Sequence, residues 1–257
     1  MATAISFDSH DLQTSSIITS SIEHHDIPDL DMPVSKIAHA NRSAINKRNF
    51  PMKKIVVKGT LESTSVSALD TLRDTFLGYF LNKEANLDIG YAGGTRRYTA
   101  TVASINAPRP GGLNYIEFTI VFVCTDPFGR ATSLTTALTA TGRTLSSYTD
   151  NHTFVGTAPT LLPVWTITIN TVTAGANYLM VGNSTTGQRL AIISETFVDD
   201  DVLVIDCYNK SVQLNGEDID FLGAFPEFKP GAGTMTYSDN FSARNFDILV
   251  QYYPLYQ

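Results

Sequence analysis

The chain has 257 residues, a formal net charge of −7, and 43% hydrophobic against 17% charged residues. That length suits one large or two modest domains, with enough apolar content to build their cores. The acidic balance argues against a dedicated nucleic-acid binder, and no apolar run approaches the ~20 residues that span a bilayer. Met1–His10 is polar and lacks a charged-then-apolar leader, so synthesis in a cytoplasm is expected.

Short strands are expected at Ile5–Phe7 and Ile17–His24, then a proline-broken turn over Asp26–Pro33. Residues 34–52 are basic and polar, with too little apolar pattern to offset ordering entropy. They read as an extended arm or long hairpin carrying Lys36, Arg42, Lys47 and Arg48. A strand at Lys53–Leu61 leads to the one convincing helix, Val66–Asn82. Leu69, Leu72, Phe76 and Phe80 recur at steps of three and four, and Leu77 and Leu81 widen the stripe. The Ser63–Ser67 run offers capping hydroxyls, and Asp70 and Lys83 sit toward the ends that the helix dipole favours. Such a helix must lay its stripe on a sheet.

Strands follow at Asn86–Ala92 and Arg96–Ile105, joined by a glycine-rich turn that feeds no helix and so cannot cradle a phosphate. In Tyr115–Thr125, Ile116, Phe118, Ile120, Phe122 and Cys124 share one face, while Val121 and Val123 suggest a second covered face. Asp126-Pro127-Phe128-Gly129 is a turn and a plausible boundary, giving domains 1–129 and 130–257, with the last strand free to return to the first domain. Beyond it, strands are expected at Ser133–Thr141, Leu145–Tyr148, Val164–Val172, Tyr178–Val181, Gln188–Ile193, Val202–Tyr208, Ser211–Leu214, Thr234–Tyr237 and Phe246–Tyr253. Their spacing reads as a β-sandwich or jelly roll, and Asn215-Gly216 as a tight hairpin turn.

The chemistry-bearing residues make no case for an enzyme, a cofactor or a metal. His24 and His25 are adjacent and would point to opposite faces of a strand. Cys124 and Cys207 lie in separate strands, without metal-ligand spacing, and read as small core residues. Asp199-Asp200-Asp201 lacks the spaced pattern of a calcium loop. Glu217, Asp218 and Asp220 would be the acids of a jelly-roll glycosidase, but lack neighbours that would raise one pKa. Trp165, Tyr252, Tyr253 and Tyr256 would serve sugar stacking or, more simply, core and interface. Charge is unevenly spread: residues 34–58 are basic and residues 195–220 acidic, which fits contact between different regions of neighbouring copies.

Three ordered segments resemble the distal tail protein (Dit) family, the siphophage tail component of long-tailed bacteriophages. The first is Lys54-Ile55-Val56-Val57-Lys58-Gly59-Thr60-Leu61 with its helix and Asn86-Leu87-Asp88-Ile89. The second is Arg97-Tyr98-Thr99-Ala100-Thr101-Val102 leading to Phe118–Phe128. The third runs from Asn183–Gly187 through Leu203–Asp206, Ser211–Gly216 and Phe225–Gly231 to Tyr252–Tyr256. The resemblance implies a mainly β protein: an α+β, β-barrel-like ring domain with one helix, and a galectin-like β-sandwich. It implies a non-enzymatic hub at the tail tip of a virion, in a homo-hexamer or stacked hexamers. Residues 34–52 would be an arm that embraces the adjacent copy. Partners would be the tail tube protein, a tail-associated hub or lysin protein and receptor-binding proteins, with genomic DNA only passing through the lumen and no membrane contact. The alternative is a stand-alone β-sandwich that binds carbohydrate.

Overall fold

Strand β6 (Lys53–Glu62) alternates between buried and more exposed positions because Ile55, Val57 and Leu61 occupy every second site. It lies one strand from the end of a sheet that also contains β1 (Ile5–Phe7), β2 (His10–Asp11), β3 (Ile17–His24), β7 (Glu84–Tyr91), β8 (Gly94–Asn106) and β9 (Tyr115–Cys124). Between β3 and β6 lie β4 (Val34–Lys36) and β5 (Ser43–Ile45), a two-stranded antiparallel sheet of their own. The order is β2-β1-β7-β8-β9-β6-β3, antiparallel throughout. Bulges at Thr19/Ser21 and Val102/Ser104 bend it. Its two ends share the connection Leu12–Ser16: the Thr19 hydroxyl donates to Leu12 O at 2.7 Å and the Thr19 N–H to Gln13 Oε1 at 2.9 Å. The sheet therefore curls toward closure. The computed structural model describes residues 4–24, 34–36, 43–45, 51–81, 84–109, 111–173, 178–193 and 195–257.

The helix α1 (Val66–Gly78) fills the curled sheet's apolar side. Ser65 caps it, its hydroxyl accepting from the Ala68 N–H at 3.2 Å. Leu69 and Phe76 are fully buried, and Phe80 follows in the turn. Phe76 lies 4.8 Å from Phe118, Phe80 5.6 Å from Phe7, and Phe7 5.1 Å from Phe122, centroid to centroid. The helix stops at Gly78, short of Asn82, at a residue of poor helix propensity. Tight bonds from Tyr79 and Phe80 to Phe76 O and Leu77 O swing Phe80 inward and leave Leu81 69% exposed, outside the stripe. Asp70 falls beyond the first turn, past the reach of the dipole, and Asn82 and Lys83 lie outside the described residues. On β9, the predicted inward face is buried in full, but Val121 and Val123 are half-exposed.

The chain divides into two compact units, Met1–Arg130 with Gln257, and Ala131–Tyr256. A short strand β10 (Gly129–Ala131) comes first at the junction. The second unit stacks two antiparallel sheets. One contains β11 (Thr135–Arg143), β13 (Val164–Val172), β16 (Asp201–Asp206), β17 (Ser211–Leu214), β18 (Glu217–Asp218) and β21 (Arg244–Tyr252), in the order β11-β21-β13-β16-β17-β18. The other contains β12 (Ser147–Phe154), β14 (Leu179–Asn183), β15 (Arg189–Ile192), β19 (Leu222–Gly223) and β20 (Gly231–Asp239), in the order β12-β20-β14-β15-β19. A short strand β22 (Leu255–Tyr256) closes the chain. Rings from the two inner faces interlock, with Tyr237 on Phe246 at 4.4 Å and Phe154 on Tyr252 at 5.0 Å. The strand expected at Leu145–Tyr148 instead runs over Ser147–Phe154. It is an edge strand with Ser147, Thr149, Asn151 and Thr153 exposed, so its alternation is too polar to announce its length. Asn215 and Gly216, both left-handed at φ 53° and 87°, make the tight turn that sets Leu214 opposite Glu217.

Candidate assembly surfaces

The predicted arm residues come first. Lys36 ends β4, opposite Ser43, while Arg42, Lys47 and Arg48 lie outside the described residues. Register places the ends of this stretch. His24 pairs with Ile55 and Lys53 with Cys124, so residues 25–52 leave and rejoin the first unit at one end, where the chain also departs after β9. The opposite end holds the start of the helix and the turn before β9. There Val66, Leu113 and Tyr115 are 37%, 55% and 49% exposed.

The outer face of β6 carries Lys54, Val56 and Lys58, beside Val121 and Val123 of β9. Val56 pairs with Val121 on one side and Glu23 on the other, and Lys54 pairs with Val123, so half-exposed valines are set among charges of both signs. Lys58 Nζ sits 2.6 Å from Glu23 Oε1 on β3. Further round the sheet, Arg97 grips Asp88 across the β7–β8 pair through two 2.7 Å bonds. A shallow depression of about 290 Å³ adjoins Asp88, lined also by Ser6, Asp11 and Thr95.

The second unit's acidic stretch divides into two groups. Asp199, Asp201 and Asp206 secure turns, accepting from the N–H groups of Val172, Val198 and Tyr208 at 2.7–2.9 Å. Glu217, Asp218 and Asp220 are exposed, on and after β18. Among the described residues no group of three or more His, Cys, Asp or Glu side chains is gathered as a metal site. Glu217 and Asp218 are successive residues of one strand and point to opposite faces, an arrangement unlike a facing pair of glycosidase acids.

Several of the remaining candidates are in the core. Trp165 and Tyr252 are buried, so neither can stack on a sugar; Tyr253 and Tyr256 are half-buried. Both cysteines are buried thiols, and loss of solvation pushes each up to about 12, far from a nucleophile's range. His152 packs edge-on against Phe154 and Tyr252, and burial lowers its pKa. His10 stacks on Tyr79 at 4.0 Å; His24 ends β3, and His25 lies outside the described residues. Sequence reasoning missed the exposed aliphatics of the second unit, Ile193, Val198 and Leu222, which are 46%, 53% and 56% exposed. Each sits in or beside a strand-like run, so only the strand pairing reveals that it faces out.

Residues 155–256 match the model of the siphovirus-type tail component, C-terminal domain. This part of the chain is similar to siphovirus tail components. The chain as a whole resembles distal tail proteins: that of Bacillus phage SPP1 is 24% identical over 216 residues, covering 83% of this chain and 80% of the relative. Two solved structures share the fold. The crystal structure of SPP1 Dit, described as a paradigm of the hub adsorption apparatus in phages infecting Gram-positive hosts, matches with a TM-score of 0.70 at 14% identity, over 97% of this chain and 98% of that one. A chain of the phage P2 baseplate, in its activated conformation with calcium, matches with a TM-score of 0.50 at 9% identity, over 97% and 98%. The mainly β architecture with a single helix among the described residues is thus the distal tail protein fold, in both units.

Proposed function

We propose that this protein is a structural hub of a long-tailed phage tail tip, acting as a hexameric ring between the tail tube and the host-adsorption apparatus. The observation that carries the reading is its breadth. One relative, the SPP1 distal tail protein, is matched in sequence over 83% of this chain, and its fold over 97%. A ring assigns work to the parts without invoking catalysis. The first unit would form the ring, the arm with Lys36, Arg42, Lys47 and Arg48 would hold the next copy, and the second unit would carry adsorption proteins or other baseplate parts. A galectin-like assignment of that second unit accords with its two stacked sheets. The tail tube protein and a tail-associated hub or lysin protein would bind the ring, and genomic DNA would pass through its lumen. The protein would be made in the host cytoplasm and reside in the virion tail.

Light scattering and negative-stain microscopy of the purified chain test this reading. Six-copy rings, single or stacked, are the expected result, and a monomer at tens of micromolar would overturn it. Deleting residues 38–50 should leave both units folded and shift rings to monomers. Rings that survive the deletion would remove the arm from the reading while leaving the hub.

A further inference from the structure

We infer that the outer edge of strand β11 docks against the same edge of a second copy of this chain, the two strands pairing antiparallel about a two-fold axis. The contact goes beyond the ring reading and does not rest on it. A ring closes by head-to-tail contacts, whereas a two-fold contact joins like to like.

The second unit treats the two sides of its sandwich differently. On one side the sheets end in β18 and β19, each two residues long, and exposed Glu217, Asp218 and Asp220 make an acidic rim there. Short, charged strands are a usual guard against edge-to-edge pairing. On the other side the sheets end in β11 and β12, of nine and eight residues. Strand β12 carries Asp150 and His152, but from Ala131 to Gly142 the chain has neither a charge nor a proline. Strand β11 is the longest that ends a sheet among the described residues. One of its edges pairs with β21, and no described residue hydrogen-bonds to the main chain along the other.

An open row of N–H and C=O groups is satisfied by another strand. Three features fit that strand to be a second β11. The first is neutrality, since no like charges meet when this edge meets itself. Arg143, at its end, is already held in its own chain by Asp150 at 2.7 Å and by the Tyr148 ring. The second is the pair of bulges, at Thr136/Leu138 and Ala140/Arg143, one on each side of Thr139. A bulge mismatches a regular strand, but a two-fold axis sets the first bulge of one copy against the second bulge of the other. The third is the placing of Leu134 and Leu145 just beyond the two ends of the strand, 41% and 63% exposed. Pairing Thr139 with Ala140 of the second copy brings each Leu134 opposite the other copy's Leu145, which covers both. The exposed threonines between them, Thr136, Thr139 and Thr141, suit contacts across a strand pair.

Cross-linking of the full chain reads the orientation and register of the contact. Leu134→Cys and Leu145→Cys variants, mixed and treated with a short bismaleimide, should give a covalent dimer. Neither variant should link to itself, because like positions then lie eleven residues apart along the paired strands, on the order of 36 Å. Cys124 and Cys207 are buried and stay out of the reaction. Dimers formed by either variant alone as readily as by the mixture would overturn the pairing, as would a mixture that stays unlinked. Thr139→Lys/Thr141→Lys puts like charges on the edge at two exposed positions. In sedimentation velocity it should halve the mass of the largest wild-type species and leave the melting transitions in place. An unchanged mass would reject the contact. Single six-copy rings without cross-links would retain the hub reading and reject this proposal, and cross-linked dimers without rings would do the reverse.

Discussion

The two units bury their cores differently. In the first, a single curled sheet is closed by one helix, and the aromatic cluster Phe7, Phe76, Phe80, Phe118 and Phe122 joins them. In the second, two sheets close each other, and rings such as Phe154, Tyr237, Phe246 and Tyr252 are shared among several strands. The first arrangement concentrates stability in a few side chains of one element, whereas the second distributes it. Damage to the helix should therefore cost more than comparable damage to any single strand of the sandwich.

The largest effect separates the units. A fragment of residues 131–256 should fold alone, with a β-type far-UV spectrum and one cooperative transition, because its sheets supply each other's cover. A disordered spectrum would end the comparison. Next, Phe76→Ala should cost the first unit ~3–5 kcal/mol, the usual range for emptying a buried phenylalanine site. In a denaturant titration that transition should move and the second unit's should not. Gly59→Ala probes where β3, β6 and Phe118 come closest: an added Cβ would lie 2.3 Å from Ile18 O and 2.6 Å from the Phe118 ring. Overpacking of this kind costs ~1–3 kcal/mol, read as a lower denaturation midpoint at unchanged slope.

The second unit has a pH signature instead. Asp239 is buried, held by the Phe241 N–H at 2.9 Å and by Arg244 Nε at 2.8 Å, yet burial still raises its pKa. A raised carboxyl pKa means that the folded state holds the proton more tightly. Its contribution to stability is fully present below the unfolded value of about 3.9 and is lost as pH rises through the higher folded value. Asp239→Asn should remove that slope, which cannot exceed about 1.4 kcal/mol per pH unit for one group. Identical pH profiles for variant and wild type would contradict the assignment. The smallest effect is at the helix cap, where Ser65→Ala should cost the first unit about 1 kcal/mol by leaving the Ala68 N–H without its side-chain acceptor.

Much of this was legible in the sequence, for identifiable reasons. The helix announced itself because Leu69 and Phe76 obey its period, and β9 because five alternate residues are apolar. What escaped depends on partners rather than pattern. Strands β2, β18 and β19 are two residues each and exist only through pairing with β1, β17 and β15. Leu81 looked like part of the stripe, but the helix had already ended at Gly78. For the assembly surfaces, the charge asymmetry was readable from composition. The location of the acidic rim was not, since it depends on β18 and β19 ending different sheets.

The Asn215–Gly216 turn bears on how the molecule ages. Asparagine followed by glycine is the pair most prone to deamidation, because the unhindered glycine nitrogen can attack the side-chain amide and form a cyclic imide. In this turn the Asn215 side chain is held at both ends, its Oδ1 accepting from the Val202 N–H at 2.9 Å and its Nδ2 donating to Asp201 at 2.7 Å. Attack would require giving up both bonds, so folding shields the most chemically fragile dipeptide of the chain. The two bonds that fix the turn's geometry are thus the same ones that protect it from chemical change.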